Sequence, residues 1–307
     1  MSVSLVAQAP AKILLFGEWA VLEGAPAIVQ SLSVFFKTSL KKTHLDSFIL
    51  KHQNEEFHYS NENQKTPEFW SLTLEILKSF NKNFYNDHYK GYTLETQCDW
   101  KISEGLGSSS ALFLTLFLID QKLSQGKTYS DSKKLWDMAW PAYQKVFQGS
   151  GADLAAQVFG GSLVYRKGQA EKISLSKPED LIILHSGKKL NTQNALKNQN
   201  TEAQWSKKIA NSVLDFLIHR DWEKTIEEHR KLLREKNIMR EEFQNILIEA
   251  QKCNLIKTMK SIGAGGGDAF LALLQNESKV KLQDFLDSNA WWNSNYAWST
   301  EVEWSLQ

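Results

Sequence analysis

The chain has 307 residues, 42% of them hydrophobic and 23% charged, which is ordinary globular usage and excludes wholesale disorder. Lys and Arg number 36 against 35 Asp and Glu, so a net charge of +1 gives no electrostatic reason to expect nucleic acid or a membrane surface as partner. Two cysteines, Cys98 and Cys253, are too few for a disulfide framework and too far apart for a CxxC site.

At about 150 residues per domain the length predicts two domains. Lys12 to Phe16 reads as a strand broken by Gly17, and Pro26 to Val29 leads into a second apolar stretch through Val34, Phe35 and Phe36. From Thr38 to Lys65 the chain is polar with short strand-like pieces such as Phe48-Ile49-Leu50, the pattern of hairpins at a sheet edge. Trp70, Leu74, Leu77 and Phe80 fall at helical spacing, and Tyr92 to Cys98 reads as a strand. A Gly/Ser cluster, Glu104 to Ser110, precedes a segment to about Leu123 that is apolar on every side, as a core helix is. Its most apolar part, Ala111 to Ile119, is far short of the roughly 20 residues a membrane span requires. Met1 to Ala11 carries no basic region followed by a long apolar run, so a soluble, cytoplasmic protein is expected.

After Gly149-Ser150-Gly151, residues 152–159 lead to Gly160-Gly161 and a strand at 162–165. The polar stretch 169–180 and the fresh strand from Leu181 put the domain boundary between 178 and 179, giving units 1–178 and 179–307. Helical patterns follow at 201–218, 222–236 and 240–253, then a glycine cluster, Gly263 to Gly267, and the apolar run 269–274. The end alternates, with Trp298, Thr300, Val302, Trp304 and Leu306 on one face, and predicts a half-buried strand. The tryptophans of this end, Trp291 and Trp292 included, read as core rather than as a partner surface.

Several familiar motifs fail. Gly126-Lys127-Thr128 has Gln121 where a P-loop needs its first glycine, and Gly263-Ala264-Gly265 has Asp268 where a dinucleotide fingerprint needs its third. The histidines show no HExxH pairing, and Gly107-Ser108-Ser109-Ser110-Ala111 lacks the closing glycine of a hydrolase elbow. Four small-residue segments remain, and together they point to phosphate handling. In Glu104-Gly105-Leu106-Gly107-Ser108-Ser109-Ser110-Ala111 the glycines let backbone fold around an anion at a helix start, and a serine hydroxyl there can ligate Mg²⁺. Ala9-Pro10-Ala11-Lys12-Ile13 places a lysine at the mouth of an apolar strand, where it can neutralise a transferring phosphoryl group. Gly149-Ser150-Gly151-Ala152-Asp153 carries an acid on a turn, suited to a general base or to a plain helix cap. Ser261 to Asp268 holds four glycines in five positions, a pattern that implies close approach of a ligand. Alone, each segment has a bland reading as a cap, a turn or a solvated strand-end charge.

In order and wording these segments resemble the GHMP kinases, the superfamily of galacto-, homoserine, mevalonate and phosphomevalonate kinases. The resemblance lies in Ala9 to Gly24, in Gly105-Leu106-Gly107-Ser108-Ser109-Ser110-Ala111 and in Gly263-Ala264-Gly265-Gly266-Gly267, which together span most of the chain. It implies an α+β, two-domain fold: an N-terminal domain of the ribosomal-protein-S5 type, a ferredoxin-like C-terminal domain, and ATP and acceptor in the cleft between them. It implies further that Gly105, Leu106, Gly107, Ser108, Ser109 and Ser110 wrap the ATP phosphates, with Ser109 on Mg²⁺. Asp153 matches the catalytic aspartate and Lys12 the lysine that pairs with it. Gly263, Ala264, Gly265, Gly266 and Gly267 would close from the other domain, while Glu18, Trp19, Ser150, Lys188 and Asp268 would serve the acceptor. Ala11 stands where the family usually has glycine.

Within the superfamily, Trp19 after the first Gly-Glu and Asp268 after the glycine cluster are similar to the phosphomevalonate kinase pattern, with mevalonate kinases the alternative. A phosphate acceptor would call for cations beyond Lys12, for which Lys101, Lys188, Lys189 and Arg166 are placed. Asp153 makes most immediate sense with an alcohol acceptor, and this consideration favours the alternative. A non-catalytic sensor on the same fold is a further reading, although Lys12, Asp153 and the serines are all present. The expected partner is a small molecule, and the expected state a monomer or homodimer.

Overall fold

Two long apolar runs at the start of the chain build the centre of one sheet. In the computed structural model, which describes residues 4–60, 65–186, 202–239, 241–263, 269–275, 279–294 and 296–307, β1 (Ser4–Phe16) and β2 (Ala27–Lys42) pair antiparallel. Both are far longer than the apolar core of each run suggests. β1 is continuously buried from Ala9 to Phe16, and the ladder shifts register between Pro10 and Ala11, where proline has no N–H to donate.

β3 (Phe48–His52) and β4 (Glu55–Tyr59) form the expected edge hairpin beyond β5 (Tyr92–Cys98), which pairs with the second half of β2. β6 (Ser162–Arg166) pairs with the first half of β2 and makes a hairpin with β7 (Gln169–Ile173), a strand too polar to be read from the sequence. Of the helices α1 (Glu68–Phe80), α2 (Ser108–Gln125), α3 (Ser132–Tyr143) and α4 (Ala152–Phe159), α2 and α4 pack on β1 and β2. Nearly every residue of α2 from Ser110 to Gln121 is buried, as its all-round apolar character predicts.

The second sheet contains β8 (Leu181–His185), β9 (Ile256–Ser261), β10 (Ala269–Leu274) and β11 (Trp292–Ser294), antiparallel in the order β11-β8-β10-β9. Helices α5 (Ala203–His219), α6 (Trp222–Glu235) and α7 (Glu241–Lys252) connect β8 to β9, and α8 (Lys279–Ser288) connects β10 to β11. This is the ferredoxin-like arrangement that the resemblance implies. The two units meet through aromatic packing, with the Phe16 ring 4.7 Å from Phe216 and 5.0 Å from His229. Among the described residues no helix is long and apolar enough to cross a membrane.

The chain's end departs from its sequence reading in two ways. Residues 296–307 leave the second unit and return to the first sheet, where β12 (Ser305–Leu306) covers the β1 edge at Ala7 and Gln8 and Trp298 bridges Leu32. A bare edge on a long strand favours such cover. The alternation itself does not form one strand: Thr300 and Val302 are exposed, because the Ser299 hydroxyl bonds to both the N–H and the C=O of Glu301 and closes a local turn. Trp291 is core, stacked 5.0 Å from Phe270, and the Trp304 indole donates to the Val158 carbonyl at 2.8 Å.

Candidate active site

β1 carries Lys12 into a place made for one buried cation. Beyond Gln8 the strand no longer has β12 beside it, and the Lys12 N–H instead donates to the Leu106 carbonyl at 3.0 Å. This bond lays the turn before α2 against β1. The Lys12 side chain is almost completely buried, with its ammonium 3.0 Å from Asp153 Oδ1 and 3.4 Å from the Gly105 carbonyl. Asp153, in the first turn of α4, is more than a third exposed, so the pair has one face sealed and one open. The two residues that sequence reasoning assigns to catalysis thus meet across 141 positions (153 − 12).

Both turns beside this pair depend on glycine. Gly107 has φ +86°, and a Cβ there would fall 2.7 Å from Lys12 Cε. Gly151 has φ +84°, and a Cβ would strike the Trp140 ring at 2.1 Å. Behind Gly151, the Tyr165 hydroxyl donates to the Ser150 carbonyl and accepts from the Gly168 N–H at 3.0 Å. Burial pushes that phenol up to about 12, so it remains a donor. Ser150 Oγ accepts from the Ala152 N–H at 3.3 Å and thereby shapes the same turn.

No side chain caps the first turn of α2, which leaves its N–H groups available to an anion. The three serines differ in what they can offer. Ser108 Oγ accepts the Trp100 indole N–H at 2.9 Å, and buried Ser110 donates to the Gly107 carbonyl at 3.0 Å. Ser109 alone of the three is exposed, and its hydroxyl makes no hydrogen bond among the described residues. Among the described residues no three His, Cys, Asp or Glu side chains gather into a metal cage. The exposed Ser109 hydroxyl and the partly open Asp153 carboxylate are oxygen donors of the kind Mg²⁺ takes.

The other wall comes from the second domain. Glu104 is buried just before the phosphate-type turn, and its carboxylate accepts the Trp292 indole N–H at 2.9 Å and the Tyr296 hydroxyl at 3.0 Å. Lys101 stands 4.1 Å over the Trp292 ring, and His185 stacks on the same ring. Burial, helped by the Lys101 charge, lowers His185 to about 4, so it is neutral. Ala269 pairs with His185 and accepts the Ile262 N–H at 3.1 Å, which roots both ends of the glycine cluster beside this wall. Gly263 has φ +69°, and among the described residues nothing lies within 4 Å of its Cβ position. Ala264, Gly265, Gly266, Gly267 and Asp268 lie outside the described residues, as do Lys188 and Lys189.

Two expected acceptor residues are placed differently from their reading. Glu18 is fully buried and paired with Lys260 of β9, so it lies beneath the site rather than open in it. Trp19 is 5% exposed and left-handed at φ 61°, part of the packed turn after β1. Arg166, offered as a cation, donates to the Gly24 carbonyl at 2.8 Å. Sequence reasoning missed Glu104, Trp140, Lys260 and Gln157, whose side-chain amide donates to the Gly107 carbonyl at 3.1 Å. Only Glu104, as an acid directly before the glycines, had a local signal. A cavity of about 600 Å³, lined by Phe80, Phe117, Asp120, Met138 and Lys145 among others, lies towards the opposite end of α2 and takes no part in this arrangement.

A buried lysine paired with a partly open carboxylate thus lies beside an uncapped helix start that can receive an anion. No protein-family model matches the chain. Among curated proteins it is similar to the mevalonate kinase of Archaeoglobus fulgidus, 23% identical over 286 residues that cover 89% of this chain and 93% of that one. Among solved structures it superposes on the mevalonate kinase of Methanococcus jannaschii with a TM-score of 0.72, 20% identity, and 97% and 98% of the two chains covered. It also superposes on the Streptococcus pneumoniae phosphomevalonate kinase in complex with phosphomevalonate and AMPPNP, with a TM-score of 0.70, 15% identity, and 97% and 99% covered. The fold is that of a two-domain small-molecule kinase. It is the fold of the GHMP kinases.

Proposed function

We propose that the protein is an ATP- and Mg²⁺-dependent kinase of the mevalonate pathway, and that phosphomevalonate is its acceptor. The observation that carries the kinase reading is the Lys12–Asp153 pair at 3.0 Å, with the Lys12 ammonium also 3.4 Å from the Gly105 carbonyl before the α2 start. In this reading the free N–H groups of the first α2 turn and the Ser109 hydroxyl orient the nucleotide phosphates. Mg²⁺, when bound, neutralises phosphate charge. Lys12 stabilises the charge that builds on the transferring group. An acceptor oxygen attacks the γ-phosphorus, the new O–P bond forms as the bond to the bridging oxygen breaks, and ADP leaves. Where the acceptor is an alcohol, Asp153 takes its proton. A phosphate acceptor is largely ionised at neutral pH, and there Asp153 serves chiefly to hold Lys12 in place.

Trp19 and Asp268 support phosphomevalonate as acceptor. A second reading, mevalonate, is favoured by the relatives: the curated proteins that match carry the name mevalonate kinase. Neither described candidate for a second-phosphate cation is committed to an anion, since Lys101 covers Trp292 and Arg166 binds Gly24. The test is ADP release in a coupled assay with ATP, Mg²⁺ and, in turn, phosphomevalonate, mevalonate, galactose and homoserine. The reading expects clear preference for phosphomevalonate. Preferential turnover of mevalonate transfers the assignment to the second reading, and turnover of none of the four favours a sensor.

A further inference from the structure

The turn after β1 is gripped from the second domain by two residues with no part in the chemistry above. Lys260, fully buried on β9, binds Glu18 Oε1 and donates to the Ser261 carbonyl at 3.1 Å. Its ammonium lies 5.5 Å from the Phe16 ring centroid. One position earlier than Glu18, the Gly17 N–H donates to His229 Nε2 at 3.3 Å. His229 Nδ1 faces the Thr225 carbonyl at 3.1 Å, so it carries the proton and Nε2 is free to accept. Burial drives Glu18 up and Lys260 down from their ordinary values, and each is held back by the other's charge.

A buried ion pair is a poor source of net stability, because desolvation offsets most of its attraction. This one does something else: it ties two segments that must act together. Glu18 follows the strand that carries Lys12, and Ser261 is two residues before Gly263, where the glycine cluster begins. We propose that Lys260 is a positioning residue for the phosphoryl transfer, holding the first turn and the root of the glycine cluster in one register across the domain boundary. This rests on the kinase reading above.

The variants are Glu18→Gln/Lys260→Met, which replaces the pair by neutral groups of similar size, and Lys260→Arg, which keeps the charge and alters its reach. Steady-state kinetics, melting temperature and calorimetric MgATP binding are measured on the full chain. Removing both charges leaves no unpaired buried ion, so the double variant is expected to melt near the parent. Its kcat at saturating substrates should nevertheless fall about 100-fold, the scale of a misplacement near 1 Å. Its MgATP binding should weaken about tenfold, as a less preorganised site does. Lys260→Arg should show the same losses to a smaller degree. Parental kcat and MgATP binding in a folded double variant, or in Lys260→Arg should the double not fold, would overturn the positioning role. Should the parent turn over no acceptor, the kinase reading fails, and MgATP binding in the same variants still decides this one.

Discussion

Replacing Gly107 with alanine tests how tightly the phosphate-type turn is built around Lys12. The added Cβ would meet Lys12 Cε at 2.7 Å, Lys12 Cγ at 2.8 Å and Gln157 Nε2 at 3.3 Å. Lys12 has little room to yield, since Asp153 holds it at 3.0 Å and Gln157 is itself bound to the Gly107 carbonyl at 3.1 Å. Left-handed backbone at φ +86° costs alanine about 1–2 kcal/mol, whatever the space. A helix-end control isolates that part: Gly126, after the last turn of α2, has φ +66° and nothing within 4 Å of its Cβ position. Gly107→Ala and Gly126→Ala should therefore lose similar backbone energy, read as a few degrees of melting temperature. Only Gly107→Ala should also lose activity, by about 100-fold in kcat, because relief of the clash displaces the ammonium. Equal turnover in the two variants would refute the claim that this glycine exists to admit Lys12.

Two further outcomes follow from the same geometry. Ser109→Ala should keep its fold and lower turnover by about 100-fold, most visibly at limiting Mg²⁺; full activity there would move the metal-binding role to another hydroxyl. Burial lowers His229 from 6.5 to about 3 and His185 to about 4. The unfolded chain therefore binds protons first as pH falls, and the stability tied to neutral histidine is intact above 6.5 and lost between 6.5 and 3. Unfolding free energies from urea titrations between pH 7 and 4 should fall more steeply in the parent than in His229→Gln, by about 1.4 kcal/mol per pH unit below 6.5, and parallel slopes would contradict this.

What could be read from the sequence was whatever is local. The periodic helices α5, α6 and α7 lie within two residues of their expected limits. The glycine turns before α2 and α4 and the all-apolar α2 are also where their patterns put them. Apart from the Lys12–Asp153 pair, which only the family resemblance implied, contacts between distant residues were not legible. Glu104 meets Trp292 and Tyr296 across 188 and 192 positions, and Glu18 meets Lys260 across 242, separations for which no spacing rule exists. α3, with Pro141 inside it, carries Trp136 and Trp140, and Trp140 is recognisable as a wall of the Asp153 turn only when Gly151 is seen against it. The alternating chain end misled because one serine turn at Ser299 outweighs strand periodicity. Acceptor specificity depends on the shape of the site more than on any motif, so the identities of Trp19 and Asp268 do not by themselves reveal it.

The central claim is that Lys12 and Asp153 act as one unit on a transferring phosphoryl group. The most direct test is single-turnover transfer of the ATP γ-phosphoryl group to the preferred acceptor, followed by ³¹P NMR in the parent, Lys12→Met, Asp153→Asn and the double variant. Transfer in the parent, losses of orders of magnitude in each single variant, and a double variant no slower than the worse single are the results expected of one catalytic unit. Losses that multiply in the double variant, or single variants that transfer at the parental rate, would contradict the account.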